Sequence, residues 1–105
     1  MDGIAASLSG IRTSAQAVGV ASNNIANVNT PGYKAQELQQ RDLPQGGVEA
    51  SGIRESQEAP REGGSNVDLA SEVVNLKTDA IGYQANLKFL KVQDLILGAT
   101  LDMRA

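Results

Sequence analysis

Cysteine, histidine and tryptophan are all missing from this 105-residue sequence. Without cysteine there is no disulfide and no thiolate nucleophile. Without histidine there is no imidazole base, no Ser-His triad and little scope for a zinc site. The absence of cysteine suits any redox compartment and so locates nothing. Aromatics are scarce, with one Phe and two Tyr, too few to line a substrate pocket. No apolar run approaches membrane-spanning length. The start, Met1-Asp2-Gly3, puts an acid where a signal peptide carries its basic residues, and no apolar core follows. On those facts alone the default location is cytoplasmic, a default that fails for a protein exported without a cleaved signal. Twelve acidic and nine basic residues leave a formal charge of −3 with the signs interspersed, which argues against a nucleic-acid footprint.

What remains is aliphatic: Ala, Val, Leu and Ile, a set suited to narrow helix–helix seams. The length allows one small domain, marginal without partners. The chain divides into three parts, 1–34, 35–64 and 65–105. In the first, Ile4, Ile11, Val18 and Ile25 recur every seven residues and Leu8, Ala15 and Ser22 fill the alternate position. That spacing predicts a helix over about residues 2–28 with a heptad seam. Gly10 and Gly19 weaken it, each by roughly 1 kcal/mol relative to Ala. Pro31 disfavours α geometry at Thr30, and Pro31-Gly32 fits the centre of a type II turn.

The middle part is polar and rich in breakers: Pro44, Gly46-Gly47, Pro60 and Gly63-Gly64. It reads as a mobile linker by composition, or as a short hairpin around residues 48–53. The third part predicts the longer helix, over about residues 67–103. Leu69, Leu76, Tyr83, Leu90 and Leu97 repeat every seven residues, and Val73, Ala80, Leu87 and Leu101 take the second seam position, interrupted at Asp94. Ser65-Asn66-Val67-Asp68 resembles a capping box, and Asp68 and Glu72 suit the positive end of the helix dipole. The expected class is therefore all-α: two terminal helices packed as a coiled-coil-like pair, joined by an irregular polar segment with room for a hairpin. The second helix should project past the first, carrying Val92, Leu95, Ile96 and Leu97. One partner helix cannot cover side chains pointing in so many directions, so neighbouring subunits must.

The stretch Ser22-Asn23-Asn24-Ile25-Ala26-Asn27-Val28-Asn29-Thr30-Pro31-Gly32-Tyr33-Lys34 closely resembles the N-terminal signature of flagellar axial proteins, the rod, hook and hook-associated subunits. Ser65-Asn66-Val67-Asp68-Leu69-Ala70, with Glu72, Val74-Asn75-Leu76 and Tyr83-Gln84-Ala85-Asn86, resembles the C-terminal signature of the rod and hook branch. The short middle is most similar to the proximal-rod members. The resemblance implies a tube-forming subunit that passes through the flagellar type III export apparatus and packs its terminal helices against neighbours in the periplasmic rod of the basal body. It implies partners of the same kind (self and other rod or hook axial proteins) and no enzymatic activity, cofactor, metal, nucleic acid, membrane insertion or small-molecule substrate.

The assembly surface expected on these grounds comprises Ile4, Leu8, Ile11, Val18 and Ile25 on the first helix. It continues through Asn23, Asn24, Asn27, Asn29, Thr30, Pro31, Gly32 and Tyr33 at the turn. On the second helix it takes in Leu69, Val73, Leu76, Tyr83, Asn86, Leu87, Leu90, Asp94, Leu97 and Leu101. Each has a plainer role beside it. The asparagines cap a helix end or bond between subunits, Tyr83 packs in a core, and Asp94 faces solvent or meets a neighbour's cation. The acids of the middle segment, Asp42, Glu49, Glu55, Glu58 and Glu62, have no metal-ligand spacing and read as solvated charge. The functional alternative to a rod subunit is a helical adapter or regulator that keeps the axial ends without polymerising.

Overall fold

A computed structural model describes residues 2–104, with side chains for residues 3–100. Asp2–Ala26 form helix α1. It ends among asparagines: the Asn27 amide donates to Asn23 O at 2.8 Å, and Thr30 Oγ1 donates to Asn27 Oδ1 at 3.0 Å. The chain then reverses at Pro31-Gly32, where Tyr33 N–H donates to Thr30 O at 3.1 Å and Gly32 takes φ +78°, as a type II turn requires.

The middle segment is ordered as a hairpin. Strand β1, Gln36–Asp42, pairs antiparallel with β2, Val48–Glu55, from Gln36↔Glu55 to Asp42↔Val48, with an irregularity between Gln39 and Gln40. Glu37 faces Arg54 at 3.4 Å and Arg41 pairs with Glu49, but three of the four are exposed and Glu49 is half-buried, and such surface pairs contribute little. The hairpin holds because it lies along α1. Val48 N–H donates to Ser9 Oγ at 3.1 Å, and Thr13 Oγ1 donates to Val48 O at 3.4 Å. Gly47, at φ +99°, runs so close that a methyl there would sit 2.4 Å from Ser9 Oγ and 3.2 Å from Ala6 Cα.

Leu69–Arg104 form α2, 36 residues long. Its cap is Asp68, whose Oδ1 accepts from Ser71 N–H at 3.3 Å. The capping-box expectation placed on Ser65 is thereby corrected. Ser65 is buried, its Oγ donating to Val28 O at 2.7 Å and accepting from Val67 N–H at 3.1 Å, so it ties the two terminal segments together.

The two helices run antiparallel, but not along the predicted aliphatic seams. Their line of closest approach is made of small residues. A methyl on Gly10 would meet Asn86 Nδ2 at 2.6 Å, one on Gly82 would lie 3.4 Å from Ser14 Oγ, and one on Gly3 would lie 3.5 Å from the Phe89 ring. Ser7, Ala17, Ala21 and Asn24 continue this line and are buried. The chain is mostly helical, 57% of it, with a two-stranded sheet between the helices, so it is not all-α. α1 stops at Ala26 rather than residue 28. Val92, Ile96 and Leu97 lie beside the first turn of α1 rather than in the overhang, because Gly3 meets Phe89 and, with Ile4, borders Gln93, Ile96 and Leu97.

Among the described residues, Ala17, Ala21 and Val67 are the buried hydrophobic ones. The chain is 68 Å long with a radius of gyration of 18.1 Å, against about 13 Å for a compact domain of this length. Its accessible surface is 7260 Å², where a compact monomer of its mass exposes about 5,600 Å². The excess is of the order that a protein–protein interface buries.

Candidate assembly surface

Helical geometry divides the surface of the pair. One residue turns about 100° round a helix. Ala6, Ser9, Thr13 and Val20 each precede the contact line of α1 by one residue, and the hairpin lies on that side. Ile4, Leu8, Ile11, Val18 and Ile25 each follow it by one and point the opposite way. On α2 the residues Val73, Ala80, Tyr83, Leu87 and Asp94 likewise follow Glu72, Asp79, Gly82, Asn86 and Gln93. Because the helices are antiparallel, both turns lead to the same side. The two aliphatic stripes therefore form one face, opposite the hairpin. Leu8 and Val73 are each 40% exposed, Tyr83 37% and Leu97 45%. Ile4, Ile11, Val18, Ile25, Leu76, Leu87 and Leu90 are half-buried where the helices flank them. Leu69 at the start of α2 and Asp94 near its end are exposed. Leu101 lies outside the residues with described side chains. Tyr83, read as core packing, instead sits on the rim of this face because Gly82, its neighbour, holds the contact line.

The Asn-rich turn divides into an inner and an outer set. Asn24 is fully buried. Its Oδ1 accepts from Gln36 N–H at 2.9 Å and from the Tyr33 hydroxyl at 2.9 Å, and its Nδ2 donates to Gln36 O at 2.8 Å. Asn24 thus completes a sheet-like pairing with the first residue of β1 and is committed within the chain. Asn23 donates to the Tyr33 hydroxyl at 3.1 Å. Tyr33 therefore stacks its polar end on the helix terminus rather than facing outward. Burial pushes its phenol up; donation from Asn23 opposes this, and the charges of Glu72 and Glu55 add to it. Asn66, not among the predicted site residues, closes the cluster: its Oδ1 accepts from Ala35 N–H at 2.6 Å and its Nδ2 donates to Glu58 O at 2.7 Å. Gly32 N–H donates to Gly64 O at 2.9 Å. Asn29, Thr30, Pro31 and Gly32 remain on the exposed rim, with Asn27 half-buried.

A second feature is a groove of about 750 Å³ between the hairpin and the first turns of α2, floored by Ala17, Val20, Ala21 and Leu38. Burial there raises the Asp79 carboxyl above its ordinary range. The described residues contain no cluster of three or more metal-ligating side chains.

Residues 4–34 match the family of flagella basal body rod proteins. That span holds the α1 stripe, the Asn24 lock and the Pro31-Gly32 turn. No curated protein matches the chain. Over residues 4–34 the chain is therefore similar to the flagellar basal body rod proteins, a structural family.

Proposed function

We propose that the chain is a rod subunit that polymerises through α1 and α2, meeting copies of itself and other rod and hook axial proteins in the periplasmic rod. On this reading it arrives through the flagellar type III export apparatus. The observation that carries the reading is the aliphatic face opposite the hairpin, left open by a chain whose buried hydrophobic residues, among those described, are Ala17, Ala21 and Val67. Covering the exposed part of a Leu or Val side chain stabilises an assembly by roughly 25 cal/mol per Å², so a row of them drives association. The heptad spacing of the stripes suits a coiled-coil-like seam between subunits, with Asp94 opposite a neighbour's cation and the Asn29–Gly32 rim setting register. No described helix is long and apolar enough to cross a membrane.

Deleting the gene and imaging isolated basal bodies tests this directly. The expected result is a truncated or absent rod. A complete rod would favour the rival reading, a helical adapter that does not polymerise.

A further inference from the structure

The face of α2 turned away from α1 takes no part in the helix pair or the hairpin. Val74, Ile81, Val92 and Leu95 lie there, 61%, 66%, 50% and 72% exposed. Lys77, Lys88 and Lys91, every cation of α2 with a described side chain, share it. At 100° per residue all seven fall within about 100° of arc. This is an apolar stripe with a one-sided basic edge. The groove beside the hairpin has the opposite chemistry. Its floor is apolar, and Glu37, Glu55, Glu58, Glu72 and Asp79 line it. Arg54 is the one cation among the described residues lining it, and it faces Glu37 at 3.4 Å.

Resting on the polymeric reading above, we infer that the outer face of α2 of one copy docks into the hairpin groove of a second copy. Lysines meet carboxylates at the rim, and Ile81 and Leu95 meet the accessible part of the floor, Val20 and Leu38. The two surfaces differ, so the contact is heterologous: each copy offers one of each, and the pairing extends rather than closing as a dimer. Partly desolvated charge pairs set register and partner choice in such contacts. The groove has a volume of about 750 Å³, which suits one flank of a helix rather than a whole one.

Charge exchange tests it. Lys77→Glu, Lys88→Glu and Lys91→Glu together, on exposed positions, should leave the circular dichroism and melting of the chain unchanged and weaken self-association about tenfold or more by sedimentation. Glu55→Lys with Glu58→Lys should do the same, and mixing the two variants should recover wild-type association. Raising salt from about 50 to about 500 mM should weaken this charge-paired association, whereas an association through the aliphatic Leu8–Val73 face alone would be spared. If both variants associate as the wild type does while charged substitutions on the Leu8–Val73 face abolish association, the docking is wrong and polymerisation stands. If only binding to another rod component is lost, the occupant is not a second copy. If the wild type never associates, the underlying reading falls as well.

Discussion

Asn24→Leu is expected to detach the hairpin from α1 and to lower stability by about 3 kcal/mol, since each buried polar group left without a partner costs roughly 1–3 kcal/mol. Leu branches at the same carbon and is no smaller than Asn, so the effect is not a cavity. It removes the acceptor for Gln36 N–H and for the Tyr33 hydroxyl, and the donor to Gln36 O, around a side chain that is itself fully buried. A small domain has only about 5–15 kcal/mol in total, and a chain whose described apolar core is Ala17, Ala21 and Val67 belongs at the low end. Urea unfolding measures the loss, and hydrogen exchange at Gln36 N–H locates it. Asn29→Ala, on the exposed rim, is the control and should stay within about 0.5 kcal/mol. An Asn24→Leu chain as stable as the wild type, with Gln36 still protected, would overturn the lock. The same cluster has an alkaline signature. The folded Tyr33 pKa lies above the unfolded value of 10.0. Its contribution is therefore intact below pH 10 and lost as pH rises through the folded value, because the unfolded chain releases that proton first. Tyr33→Phe removes this part of the alkaline decline.

Leu8→Glu combined with Val73→Glu should abolish assembly while leaving the isolated chain nearly as stable as before. Both side chains are 40% exposed on the face opposite the hairpin, so in the monomer the new carboxylates stay hydrated and the change is small. In an assembly they would be stripped of water without a partner, costing several kcal/mol and weakening association by about 100-fold or more. Sedimentation and thermal melting on the same sample separate the two effects. Loss of folding along with association would mean that the stripes serve the monomer's own core.

The elements were legible where periodicity was strong. Both helices and the Pro31-Gly32 reversal follow from local rules that the fold does not override, whereas the cap falls on Asp68 and not on Ser65. The partner of each stripe was not legible, because two lines of residues on α1 share the same heptad spacing. Ile4, Leu8, Ile11 and Val18 are conspicuous. Gly3, Ser7, Gly10, Ser14, Ala17 and Ala21 run alongside them at steps of four, three, four, three and four. Hydrophobicity points to the first line. Close approach of backbones selects the second, because Asn86 needs the room that a glycine leaves. Gly10 looked like a weakness of the helix and is its point of contact. The hairpin was only half visible, since Gln36–Asp42 has one aliphatic residue, Leu38, and no alternating pattern; its pairing depends on Ser9, Thr13 and Asn24 reaching across from α1. Asn24 stood out as one of a cluster, but only its burial distinguishes it from Asn23, Asn27 and Asn29.

The central claim is that neighbours cover aliphatic surface which a single copy leaves open, and side-chain footprinting tests it most directly. Hydroxyl radicals should label Leu8, Val73 and Leu97 in the free chain and label them several-fold less in intact basal bodies, while Ile53 on the hairpin, 59% exposed in the free chain and away from that face, serves as the reference. Equal labelling of the three leucine and valine side chains in the two states would contradict the account.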